Sequence, residues 1–157
     1  MGAALYNWFT RGELTTEGDS ITEGIGQVRV TKNLEGTPID MAYQITDEEA
    51  LPVLFNLIEH EGLVLGGSSA INIVGAMRLA RDLGPGKTIV TILADGGQRY
   101  QSKLFNPDFL RKKNLPVTAQ VPALRRFGVR GLTCQALASA YRGYSSLASW
   151  PWKGRIG

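Results

Sequence analysis

Residues 88–93, Thr-Ile-Val-Thr-Ile-Leu, form an unbroken apolar run rich in β-branched side chains. That is the pattern of a strand covered on both faces, as in a parallel sheet. Two further segments read as strands: residues 39–45, after the break at Thr37-Pro38, and the short all-apolar Leu63-Val64-Leu65. Helical patterns fill the gaps. Thr46 with Glu49 three residues on forms a capping box for a helix from Asp47 to Glu61. That helix puts Leu51, Leu54, Phe55 and Ile58 on one face, and Gly62 ends it. Gly66-Gly67-Ser68-Ser69 leads into a second helix from Ala70 to Leu83, stopped by Gly84-Pro85-Gly86. Strand, helix, strand, helix, strand is the order of an α/β layer, so the expected fold is α/β, a partial parallel sheet flanked by helices.

Outside this alternation the chain is less regular. Residues 2–9 are compatible with the end of a helix, and residues 10–20 read as an exposed polar connection. No capping signal opens that first helix, which leads us to expect that an upstream part is missing. After Asp95-Gly96-Gly97 a short helix is expected around Tyr100 to Leu104, and Asn106-Pro107 opens another turn or two to Lys113. Beyond Pro116 the character changes: residues 1–117 hold 11 Lys+Arg and all 14 Asp+Glu, net −3, whereas residues 118–157 hold 6 basic residues and no acidic one, net +6. The division expected is therefore residues 1–116 as a domain and residues 117–157 as a basic, poorly ordered tail. Its arginines are scattered among small residues without a lysine cluster, which argues against nucleic-acid binding.

Several chemistries are excluded. A single cysteine, Cys134, permits no internal disulfide and no thiolate cluster. The single histidine, His60, lies between Glu59 and Glu61 near a helix end, the setting of a surface residue. It supports neither a metal site nor a Ser-His-Asp arrangement. No apolar run is long enough to span a bilayer, and a soluble, cytoplasmic protein is expected. Lys32, Lys87, Lys103, Lys112, Lys113 and Lys153 all fall among polar neighbours, so none resembles the desolvated amine of Schiff-base chemistry.

Two loops are candidates for function. Gly66-Gly67-Ser68-Ser69 opens a helix, where free N–H groups and the helix dipole favour an anion; simple capping by Ser68 or Ser69 explains the same residues. Asp95-Gly96-Gly97 directly follows the last strand, the usual place for ligands in an open α/β sheet, although a plain turn would look the same. Asp95 is the only carboxylate there, so paired-carboxylate catalysis has no support.

Three longer motifs are more specific. Residues 17–27 read Glu-Gly-Asp-Ser-Ile-Thr-Glu-Gly-Ile-Gly-Gln, residues 61–72 Glu-Gly-Leu-Val-Leu-Gly-Gly-Ser-Ser-Ala-Ile-Asn, and residues 97–106 Gly-Gln-Arg-Tyr-Gln-Ser-Lys-Leu-Phe-Asn. In order and spacing they resemble the C-terminal half of bacterial cysteine synthases, over about residues 1–116. The resemblance implies a tryptophan-synthase-β-like pyridoxal-phosphate enzyme, of which this chain supplies most of the larger domain. It implies replacement of the acetate of O-acetylserine by sulfide, with related cystathionine synthesis as an alternative. The partners implied are an amino-acid substrate and either a second copy or the C-terminal peptide of serine acetyltransferase.

Under the same resemblance, Gly24, Ile25 and Gly26 match the stretch beside substrate and cofactor. Gly96 stands where many members carry a serine that meets the pyridine nitrogen, with Asp95 next to it. Ala70 replaces a common glycine, and Val28 a smaller residue. The Schiff-base lysine segment and the phosphate loop belong upstream of residue 1 in the family, and Met1-Gly2-Ala3 matches an internal stretch. The expectation is thus a fragment, inactive alone, with a frameshifted or read-through tail.

Overall fold

The structure is a computed structural model that describes residues 2–117. Four α-helices and one 3-10 turn are present among these residues: α1 (Ala4–Arg11), α2 (Asp47–Glu61), α3 (Gly67–Leu83), the 3-10 turn Gly97–Tyr100, and α4 (Pro107–Lys112). None is long and apolar enough to cross a membrane. The expected basic tail lies outside the described residues, apart from Val117, which is buried with Leu104 and Leu110.

α2 begins as its sequence dictates. Glu49 N–H donates to Thr46 Oγ1 (3.3 Å) and Thr46 N–H donates to Glu49 Oε2 (2.9 Å), so two otherwise orphaned helix-end donors are satisfied reciprocally. At the other end Leu63 N–H closes back on Leu57 O (3.1 Å) beyond Gly62. Leu51, Leu54 and Phe55 are buried as expected, and they pack with Ala70 of α3, Leu104 and Leu110. Val53 and Leu57, from the adjoining stripe of α2, form a second cluster with Val74. Two stripes on one helix arise because α2 is held between α3 on one side and residues 104–117 on the other. His60 is exposed near the C-terminal end of α2.

α3 starts three residues earlier than the pattern suggests. Gly66 is its N-cap and no side chain caps it, so the capping role expected of Ser68 or Ser69 is not seen; both lie inside the first turn. Ala70 is fully buried in the main core, and Val28 is 55% exposed, so neither methyl-bearing side chain crowds a turn. The helix expected at residues 100–104 is the 3-10 turn Gly97–Tyr100 followed by further turns. α4 opens at Asn106, whose Oδ1 accepts from Asp108 N–H (3.0 Å) and Phe109 N–H (3.3 Å).

Among the described residues none of the three strand segments forms a ladder. The β-type contact present is an isolated antiparallel bridge between Leu65 and Gly96. Residues 88–93 were expected to be covered on both faces; here Val90 is 87% exposed and Ile92 71%. A strand exists only by virtue of neighbours, and no neighbouring backbone lies alongside this one among the described residues.

Candidate functional site

Asp47, the first residue of α2, carries the first device of the site. Its carboxylate is buried and faces back toward the preceding connection, where Oδ1 accepts from Ser20 Oγ (2.8 Å) and Oδ2 from Ile21 N–H (2.9 Å). The negative charge sits at a helix N-terminus, where the dipole favours it. Ser20 Oγ in turn accepts from Thr22 N–H (3.1 Å). The loop is therefore fixed just before Gly24-Ile25-Gly26. Gly24 and Gly26 both adopt φ of +82°, the left-handed region that disfavours other residues.

From there the loop touches two other segments. Thr22 packs on the first turn of α3 so closely that a Cβ on Gly67 would lie 2.5 Å from Thr22 Oγ1. Gly26 packs against Gly2, where a Cβ would lie 2.7 Å from the Gly2 carbonyl oxygen. The missing side chain at Gly26 thus serves backbone packing, whereas a Cβ on Gly24 would meet little, with Gln27 Nε2 at 3.9 Å. Beyond the turn, Glu23 pairs with Lys103 (2.8 Å), which holds its carboxyl below the usual glutamate value.

Asp95 stands against the start of α3 through both backbone and side chain. Its carbonyl accepts from Gly66 N–H (3.0 Å), and Gly97 N–H donates to Val64 O (2.9 Å) across the isolated bridge. Its carboxylate accepts from Tyr100 Oη (2.5 Å) on Oδ2 and from Ser68 Oγ (3.4 Å) on Oδ1. A Cβ on Gly66 would collide with that same Oδ1. The hydrogen bond to Asp95, with partial desolvation, raises the Tyr100 phenol above the ordinary tyrosine value. Arg99 lies over the Tyr100 ring, 5.6 Å from its centroid.

The candidate residues therefore come together. Thr22 links the Gly24–Ile25–Gly26 turn to Gly67, and Asp95 with Gly96 borders the same helix start. Asp47, Thr22 and Tyr100 were not singled out by sequence reasoning, and Ser68 was read as a cap rather than as a partner of Asp95. Tyr100 follows Asp95 by five residues through a 3-10 turn, a spacing with no recognisable signature, and Asp47 looks like an ordinary first-turn acidic residue.

With that geometry in place, known proteins give the clearest comparison. No family profile matches the sequence. Curated proteins do: the chain is 52% identical over 107 residues to cysteine synthase 2 of Schizosaccharomyces pombe, covering 67% of this chain and 27% of that protein. It is 44% identical over 119 residues to cysteine synthase 1 of Emericella nidulans, covering 73% of this chain and 32% of that protein. Its relatives are cysteine synthases. Cystathionine beta-synthase of Dictyostelium discoideum is also similar, at 38% identity over 88 residues, 56% of this chain and 18% of that protein. These relatives are eukaryotic, which corrects the bacterial attribution suggested by the motifs. The chain spans about a quarter to a third of the length of the cysteine synthases it matches.

Cysteine synthases imply pyridoxal phosphate, and the described residues do not fit it as its holder. The cofactor needs an amine, yet Lys32, Lys87 and Lys112 are exposed, Lys103 is engaged by Glu23, and Lys113 lies 3.5 Å from Asp19. The start of α3, otherwise suited to a phosphate, already faces the Asp95 carboxylate, which repels a second anion. Gly96 offers no hydroxyl for a ring nitrogen, and the Asp95 carboxylate is turned to Ser68 and Tyr100. Among the described residues no cluster of three or more metal-binding side chains occurs.

Proposed function

We propose that this chain is the cysteine-synthase-like part of a protein that converts O-acetylserine and sulfide to cysteine and acetate. The observation that carries this reading is the 52% identity to a cysteine synthase over 107 residues. The chain's contribution is structural and substrate-side. The clamped turn at Gly24, Ile25 and Gly26 borders the reacting molecule, while Asp95 and Gly96 form the edge nearest the cofactor ring. By its motifs the chain corresponds to a C-terminal portion of a cysteine synthase, in a partial parallel sheet flanked by helices. The amine and the phosphate-binding groups come from polypeptide outside the described residues, so residues 2–117 alone do not perform the reaction. Higher identity to the cysteine synthases than to cystathionine beta-synthase favours sulfide over a thiol amino acid as the second substrate.

Two measurements test this. Replacing the matched segment of the S. pombe enzyme with that of this chain is expected to give a chimera that retains cysteine formation. A folded chimera that binds pyridoxal phosphate and makes no cysteine would refute the assignment. The isolated chain, mixed with pyridoxal phosphate and reduced with borohydride, is expected to show only scattered, substoichiometric pyridoxyl labelling of exposed lysines by mass spectrometry. A stoichiometric adduct with turnover of O-acetylserine would refute its incompetence alone.

A further inference from the structure

Arg78 of α3 reaches across to the start of α2. Its Nη1 donates to Gln44 O (2.8 Å) and its Nη2 to Glu49 Oε1, with both ionic side chains half-buried. Glu49 is engaged on its other oxygen as well, where Oε2 accepts from Thr46 N–H in the capping box. The guanidinium fork therefore grips the chain at residues 44 and 49, on either side of Asp47. A lysine ammonium is a point charge on a flexible stem and lacks that fixed fork.

The first turn of α2 explains what the grip is for. It carries Asp47, Glu48 and Glu49 in succession, which the helix dipole favours singly and their mutual repulsion opposes. Glu49 is turned to Arg78, and Asp47 to Ser20 and Ile21. The loop before the Gly24–Ile25–Gly26 turn thus hangs on the Asp47 carboxylate, and that carboxylate is placed by the backbone of residues 44–49. Being half-buried, the Arg78–Glu49 pair is also less screened than the exposed pair of Glu23 with Lys103.

Resting on the cysteine-synthase-like reading, we propose that Arg78 is a positioning residue for the substrate-side turn. By fixing residues 44 and 49 it sets the place of the Asp47 carboxylate and, through Ser20 and Ile21, that of Gly24, Ile25 and Gly26.

Amide exchange in the full 157-residue chain gives the first test. Arg78→Met keeps much of the apolar stem and removes both hydrogen bonds. The Ile21 amide is expected to exchange about tenfold faster relative to interior amides of α2 and α3, the effect of weakening one hydrogen bond to a charged group. In an Asp47→Ala background, where that amide is already released, Arg78→Met is expected to add no selective change. Arg78→Lys is expected to fall between. Glu49→Gln keeps the capping acceptor but turns an amide NH2 toward the guanidinium, so it reproduces the loosening even if Arg78→Met does not fold.

The second test uses the chimera with the S. pombe enzyme. Arg78→Met is expected to raise KM for O-acetylserine at least about threefold with kcat within about twofold, because the substrate must then order the turn as it binds. Arg81→Met, from the same helix, is the control, since Arg81 pairs with its neighbour Asp82. Equal quickening of Ile21 and the helix amides would overturn the proposal by making Arg78 a general stabiliser. Selective quickening that persists in Asp47→Ala would overturn it by placing the route elsewhere. An active chimera whose KM ignores Arg78→Met would overturn it and leave the functional reading intact. An unsubstituted chimera that binds pyridoxal phosphate and makes no cysteine would refute that reading itself, and the place of Arg78 in the reaction with it.

Discussion

Removing the Asp47 carboxylate is the most direct way to test whether α2 holds the Gly24–Gly26 turn in place. In Asp47→Ala two hydrogen bonds to a charged group are lost, those from Ser20 Oγ and Ile21 N–H. Each such bond is worth about 1.5–3 kcal/mol; Ser20 is partly exposed and regains water, so its share falls at the low end. Loss of a carboxylate at the helix N-terminus adds about 0.3–1 kcal/mol, and the better helix propensity of alanine returns roughly 0.5. The net expectation is about 4 kcal/mol, a roughly 1,000-fold shift in the folding equilibrium. Asp47→Asn keeps an acceptor and is expected to lose about half as much. Urea unfolding followed by far-UV circular dichroism measures both, with Glu48→Ala, exposed in the same turn, as the control. Exchange of the Ile21 amide is expected to quicken in Asp47→Ala alone. If Asp47→Ala falls within about 0.5 kcal/mol of the control, the usual range for surface changes, the clamp does not hold the loop.

Other expectations come from the same coordinates. Gly67→Ala, whose Cβ would meet Thr22 Oγ1 at 2.5 Å, is expected to destabilise by about 1–3 kcal/mol, and adding Thr22→Ala to restore most of it, read as a coupling energy in a double-mutant cycle. Thr46→Ala removes the capping-box acceptor and is expected to cost about 1 kcal/mol in urea unfolding. Tyr100 has a raised pKa, so its protonated form is favoured by folding. That contribution is whole below the ordinary value of about 10 and disappears as pH rises through the raised value; Asp95→Asn is expected to bring the phenolate titration of Tyr100 back toward the ordinary range.

What the sequence revealed depended on how local each determinant is. The capping box at Thr46 and Glu49, the stop at Gly62 and the buried face of α2 need only a few neighbouring residues; the first two stand as read, and of the face Leu51, Leu54 and Phe55 are buried while Ile58 is half-buried outside the core. The start of α3 was misjudged because Ser68 and Ser69 are good capping residues, while the cap falls on Gly66. There the Asp95 side chain presses so close that any Cβ would collide with it. That constraint comes from 29 positions away and leaves no mark in the local pattern. The strand segments are a different matter: apolar, β-branched composition signals a need for neighbours without saying which residues supply them. For the site, motif order alone brought residues 24–26 and 95–96 into one region, but the groups that join them, Asp47, Thr22 and Tyr100, act across the fold.

Under the proposed cysteine-synthase-like reading, the departures from a working site are of two physical kinds. Gly96 is a local loss. A Cβ there would meet Gln98 Oε1 at 2.5 Å, and that oxygen terminates a flexible side chain, so the backbone does not forbid a hydroxyl-bearing residue. The missing amine is not local. The partnered lysines near the site end in exposed ion pairs on Glu23 and Asp19, and moving one inward would strand its carboxylate while desolvating an ammonium ion. No small rearrangement of the described residues exchanges those surface pairs for a buried, nucleophilic lysine. A Schiff-base amine at this site therefore has to come from outside the described residues.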